Sequence, residues 1–150
     1  MALVAVIILV PLLAAVMGYV GGGPAAILQA RPPAADLTVI TPPTLRSGNL
    51  FETKVIATPR NQVGDLTVAI EEPLLRRVSI DTVTPEAESA GFEDGSFEFS
   101  FGPAQPGKPV EVKFDGQIQP WGWRTLHGEI MLLDGKTKLA AVPVTVRVLP

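Results

Sequence analysis

Residues 2–20 read ALVAVIILVPLLAAVMGYV without a charged side chain, and the first residue charged at neutral pH is Arg31. A helix rises about 1.5 Å per residue, so some 20 apolar residues cover the roughly 30 Å hydrocarbon core of a bilayer. The run has that length and nothing polar to draw it into water, which predicts a transmembrane helix over residues 1–22. A cleaved secretory signal would show a basic leading region, an apolar stretch of about 7–15 residues and small residues at the cleavage site. Here no Lys or Arg precedes the run, and the best cleavage point, after Ala30, has Leu28 where a small residue belongs. The segment is expected to remain as an anchor.

All 12 Lys and Arg and all 15 Asp and Glu lie beyond residue 30. Roughly 120 residues of ordinary polarity remain, enough for one domain with its own core. The net charge of −3 leaves no basic patch interleaved with aromatics, so no nucleic-acid partner is expected. There is no cysteine, which rules out disulfides, thiolate zinc sites and cysteine nucleophiles together. Loop charges do not set the orientation, because Arg31 is soon offset by Asp36. By association with other Pro-rich domains on single anchors, the domain is expected outside the cytoplasm, on the periplasmic face of the inner membrane.

Within the span, Ala14, Gly18 and Gly22 recur every four residues on one helical face, where small side chains let a helix of another integral membrane subunit approach closely. Pro11 cannot donate to the carbonyl of Ile7, so a bend is expected there. Tyr19 falls where an aromatic would mark the lipid–water interface. Residues 23–35, rich in Gly and Pro, predict a short tether that keeps the domain close to the membrane.

From residue 36 the periodicity becomes twofold, and Pro, Gly and Asn punctuate short apolar runs. Eight strands are predicted, at 37–41, 50–58, 66–71, 77–83, 96–101, 110–117, 126–133 and 139–149. Leu66, Val68 and Ile70 share one face, as do Phe97, Phe99 and Phe101, then Val110, Val112 and Phe114, and Val142, Val144, Val146 and Val148. Two packed sheets bury such faces against each other. Asp134-Gly135 signals a hairpin. Pro143 cannot donate to a ladder, so its strand is expected at an edge or with a bulge.

Strands at this spacing without intervening helices predict an all-β fold, a two-sheet sandwich of about 7–8 strands over residues 36–150. Pro43-Thr44-Leu45-Arg46-Ser47-Gly48 leading into Phe51-Glu52-Thr53-Lys54-Val55 resembles the first strands of immunoglobulin-like and fibronectin-like domains of bacterial envelope proteins. The resemblance implies that architecture and carries no functional residues across, since the Cys and Trp pattern of true immunoglobulin domains is absent.

Residues with chemistry to offer are sparse. His127 is the only histidine, and with no cysteine a metal site around it would need carboxylates alone. It alternates with Leu126 and so is expected at the surface. The acidic stretch Glu86, Glu88, Glu93 and Asp94 lacks the spacing of a calcium loop and reads as a solvated connection. Glu71-Glu72 and Arg76-Arg77 flank Pro73-Leu74-Leu75 and read as a charged sheet edge. No cofactor and no catalytic group are expected.

Pro120-Trp121-Gly122-Trp123-Arg124 holds both tryptophans of the chain. These aromatics either plug the end of the sandwich or anchor an interface with protein or headgroups, and Arg124 suits the same interface. Because Trp123 leads directly into the Leu126 strand, it is expected inside, with Trp121 at the contact. The chain as a whole reads as a noncatalytic, single-pass accessory subunit of a respiratory, photosynthetic or transport complex, with integral membrane subunits and the lipid bilayer as partners. A pilin-like filament subunit and an envelope-anchored binding module are the alternatives.

Overall fold

The structure, a computed structural model, describes residues 2–17, 19 and 23–150. Helix α1 (Ala2–Val16) is followed by β1 (Ala26–Ala30), β2 (Ala35–Thr41), β3 (Thr44–Arg46), β4 (Leu50–Pro59) and β5 (Leu66–Glu71). A short helix, α2 (Glu72–Leu75), leads to β6 (Val78–Thr84), β7 (Ser89–Glu93), β8 (Ser96–Ser100), β9 (Val110–Ile118), β10 (Arg124–Asp134) and β11 (Thr137–Leu149). The strands form two sheets, in the orders β1-β2-β4-β9-β6 and β3-β11-β10-β5-β8-β7.

Twofold alternation makes this arrangement. In β11, Val142, Val144, Val146 and Val148 are buried, while Pro143, Thr145 and Arg147 between them are exposed. They share one core with Leu37, Val39, Val55, Val112 and Phe114 of the other sheet. Phe99 meets Phe114 across the layer edge to face, with ring centroids 5.1 Å apart. Each buried Val, Leu or Phe contributes about 1.5–3 kcal/mol, so the two facing columns dominate the stability of the domain.

Pro143 sits opposite Glu129. The Glu129 amide donates to Glu71 Oε2 at 2.7 Å, on the β5 side of β10. The pair is therefore a non-hydrogen-bonded one, and the proline nitrogen faces away from β10. On that far side β3 reaches only residues 147–149, so the ladder needs no donor at 143. Gly135, at φ 58°, and Lys136 form the two-residue β10–β11 loop expected at Asp134-Gly135. Asp94 (φ 49°) and Gly95 (φ 77°) turn β7 into β8 with the two left-handed residues that a type I′ loop requires.

Three expectations are corrected. The sandwich has eleven strands among the described residues rather than seven or eight. The added ones carry little apolar alternation: β3 is three residues long, and every residue of β7 is exposed. The stretch 23–35 is not a plain tether, because Ala26–Ala30 pairs antiparallel with β2. The helix expected over 1–22 spans Ala2–Val16, about 22 Å at 1.5 Å per residue. No helix among the described residues is long and apolar enough to cross a membrane. Its end is marked by a bond from the Tyr19 amide to the Ala14 carbonyl, a six-residue closure that typically ends helices. Of the proposed packing face, Ala14 is half-buried, and Gly18 and Gly22 lie outside the described residues.

A Cβ at Gly116 would stand 2.5 Å from the Ser79 carbonyl oxygen and 3.1 Å from the Phe51 ring, beside the irregularity that shifts β6 between Ile80 and Thr82. Gly116→Ala is expected to destabilise by about 1–3 kcal/mol, since the backbone must move to admit the methyl group. Gly122, with nothing within 4 Å, tolerates alanine to within about 0.5 kcal/mol. Urea unfolding of the full chain in mild detergent, followed by circular dichroism, checks both.

Candidate functional site

The two ends of the sandwich differ in chemistry. The registers Ala26↔Thr41, Leu50↔Gln117, Val78↔Ile118 and Arg124↔Val148 place the start of β1, β4, β6 and β10 and the finish of β2, β9 and β11 at one end. The chain arriving from α1 therefore joins the domain at the end closed by the Trp121–Trp123 connection.

Trp121 closes it. Its amide donates to Ser47 Oγ at 3.0 Å, and its carbonyl accepts from the same hydroxyl. The indole is half-buried against the core, and the guanidinium carbons of Arg77 and Arg124 each lie 5.5 Å from its ring centroid. Cation–π contacts of this kind contribute about 0.5–2 kcal/mol according to exposure. Arg77 has a left-handed backbone, φ 57°, uncommon for a residue with a Cβ. Its carbonyl accepts from the Gln119 amide at 2.8 Å, and its guanidinium donates to the Pro120 carbonyl at 3.3 Å. The turn from α2 into β6 thus delivers this arginine to the tryptophan.

Trp123 is 70 % exposed. This reverses the expected assignment: Trp121 plugs the end and Trp123 faces out. Trp123, next to the start of β10 and an odd number of residues before Leu126, shares the outer face with Thr125, whereas Trp121 lies in the connection ahead of the strand and is turned under the end by its bonds to Ser47. Beside it, the Arg147 guanidinium lies 5.5 Å from the Tyr19 ring and donates to Thr44 Oγ1 at 3.3 Å. Tyr19, Trp123, Arg124, Thr125, Arg147 and Leu149 line an open groove of about 410 Å³. Leu50 and Ile27, 75 % and 65 % exposed, lie at the same end of the fold.

Six cations elsewhere are paired with carboxylates among the described residues. Lys113 lies 3.3 Å from both Glu52 and Asp115, and its hydrogen bonds to them hold the ammonium above the usual lysine range. Lys136 is raised in the same way, by its bonds to Glu93 and Glu98. Among the described residues, the ion pairs also include Lys54, Arg60, Arg76 and Lys138, and none includes Arg77, Arg124 or Arg147. These three arginines lie at the tryptophan end, whereas Arg31, bonded to Gln29, and Lys108, in the loop beside the finish of β4, lie at the other end.

Other candidates offer less. His127 is exposed, with Nδ1 3.1 Å from Thr145 Oγ1. Of the acidic stretch, Glu93 bonds to Lys136, and the Glu88 amide donates to the Ser100 carbonyl. No group of three or more His, Cys, Asp or Glu among the described residues is arranged to hold a metal ion. Between the sheets, beneath Leu74 and Leu75 of α2, lies an apolar cavity of about 40 Å³. Ligand pockets begin at about 300 Å³.

Neither a protein-family model nor a curated protein matches the sequence. Among solved structures, the CARDB domain of a Pyrococcus furiosus protein, determined in complex with di-metal ions, is similar over 80 % of this chain and 98 % of its own, at 15 % identity and a TM-score of 0.45. A Niemann-Pick type C2 protein from Japanese carpenter ant is similar over 83 % of this chain and 94 % of its own, at 10 % identity and a TM-score of 0.43. These likenesses reach no further than the β-sandwich.

The placement of the two indoles sets opposite outcomes for their removal. Trp121→Ala is expected to cost about 2 kcal/mol or more, part of the 3–5 kcal/mol that a fully buried aromatic costs. Trp123→Ala should stay within about 0.5 kcal/mol, as surface substitutions do. Thermal melts of the two variants in the same detergent check the order.

Proposed function

We propose that this chain is a noncatalytic, single-pass accessory subunit of a larger membrane assembly, its apolar N-terminal segment seated in the bilayer and its β-sandwich bracing the assembly at the surface. One observation carries the reading. Three of the domain's exposed large apolar side chains, Trp123, Leu50 and Ile27, occupy the end from which the uncovered apolar helix departs, with Phe92 exposed on the edge strand β7. From residue 5 to residue 17 every side chain of this segment except Ala14 is exposed, so the chain's own domain does not cover it. A helix apolar all round needs lipid or protein around it. Although α1 itself is short for a span, the uncharged sequence runs on to residue 20, and a short stretch can be accommodated by local thinning of the bilayer.

On this reading β1, which opens at Ala26, holds the sandwich close to the headgroups, and the half-buried Ala14 marks the face that meets a neighbouring helix. An immunoglobulin-like arrangement of the domain and its placement outside the cytoplasm belong to the same proposal.

Expression of the full chain and of a form lacking residues 1–22 tests it. The full chain should stay with membranes through an alkaline carbonate wash and co-purify with integral subunits in native detergent. The shortened form should be soluble and retain its β spectrum. Release of the full chain by carbonate would sink the anchor, and purification without any companion would sink the accessory role. Ala14→Leu should lower companion recovery, with Leu12→Ile as the unaffected control.

A further inference from the structure

We infer that the groove between Tyr19 and the adjoining ends of β10 and β11 binds the phosphate of anionic phospholipid headgroups, with Arg124 and Arg147 as its charged contacts and Trp123 inserted beside them. The inference rests on the seating of the N-terminal segment proposed above and names the lipid that this seating selects.

Arg124 pairs in register with Val148 and Arg147 with Thr125, so the two leave opposite faces at the end of the sheet, Arg124 toward Trp121 and Arg147 toward Tyr19, and both line the groove. Neither is joined to a carboxylate among the described residues. Arg124 contacts the Trp121 ring and the Trp123 carbonyl, and Arg147 contacts the Tyr19 ring and the Thr44 hydroxyl. Such contacts orient a guanidinium without neutralising it, leaving its charge and free N–H groups for an anion. Both side chains are held in place by aromatic faces rather than left to swing.

The occupant follows from position. Tyr19 follows α1 closely and forms one wall of the groove, so a bilayer holding α1 brings its headgroups to the level of the two arginines. Trp and Tyr are the residues that settle at that level, and Trp123 is free to do so. Basic groups beside a membrane segment attract anionic lipid, at about fivefold in local enrichment for each. A protein carboxylate would answer the same charges, but it would not explain why the site is built against the apolar segment.

The test uses the full chain in vesicles, in a Trp121→Phe background that leaves Trp123 as the single fluorophore. Phosphatidylcholine vesicles and mixtures with phosphatidylglycerol are compared, with the bromine quencher carried on one lipid or the other. Quenching of Trp123 should favour brominated phosphatidylglycerol over brominated phosphatidylcholine. Arg124→Gln and Arg147→Gln should each lower that preference by about fivefold, and the double Lys variant should keep most of it. Equal quenching by the two lipids, or an undiminished preference in the double Gln variant, would overturn the inference. So would a full response to inorganic phosphate added to phosphatidylcholine vesicles, which would make the site one for the free anion. If the chain fails to float with vesicles of either composition, the anchoring proposal fails instead.

Discussion

Burial of one apolar face of each sheet against the other is the constraint from which the rest of this molecule follows. Val142, Val144, Val146 and Val148 can reach Val39, Val55 and Phe114 only if the strands lie in two layers with matched polarity of their faces. Once they do, every connection must emerge at one of two ends, because the layers leave no other exit. The tryptophan connection, the turn from α2 through Arg77 and the chain arriving from α1 are far apart in sequence. They meet because β10, β6 and β1 all begin at the same end.

That end solves the problem of closing a sandwich differently from the sides. Along the sheets, Lys54, Lys113 and Lys138 lie against carboxylates on neighbouring strands, and Lys136 of the β10–β11 loop lies against Glu93, exposed pairs that contribute little to stability and serve mainly solubility. At the end, Arg77 and Arg124 lie against an indole and Arg147 against a phenol. A guanidinium on a ring gives up little of its charge, whereas an ammonium in an ion pair is largely compensated. A net charge of −3 over the whole chain therefore coexists with a positive, aromatic end.

Much of the sandwich is legible in the sequence, and the reasons for success and failure are the same. The strands containing Val112, Leu126 and Val144 were readable to within about two residues because one buried face imposes a period of two. Strand β7 imposes none, since both its faces meet water; Asp94-Gly95, a hairpin dipeptide, was the signal that marked it. Strand β1 is flanked by Gly and Pro, which mask an alternation only five residues long. At the site, the Trp121–Trp123 pair and Arg124 were legible as unusual, but their roles turned on where β10 begins and on the bonds that Ser47 makes to Trp121. Adjacency to the Leu126 strand suggested burial for Trp123, while an odd spacing from Leu126 sends it outward. Arg77 and Arg147 had no sequence signal, because their places depend on a left-handed turn after α2 and on the β3–β11 pairing.

The same logic separates what holds the domain together from what is left for a partner. Trp121 spends its surface within the fold: it has Ser47 on its backbone, two arginines on its ring and the core beneath. Trp123, two residues on, has none of these and stands 70 % exposed. An indole in water is costly unless something covers it, and besides the single exposed side chains Leu50, Ile27 and Phe92 the described residues leave the apolar helix α1 uncovered. Two such surfaces on opposite sides of a domain would call for two partners. Here the domain end and the helix adjoin, with Tyr19 touching Arg147 between them, so on the proposed reading a single apolar–polar boundary would cover both: the helix below it, the indole within it, and the arginines on its anionic side.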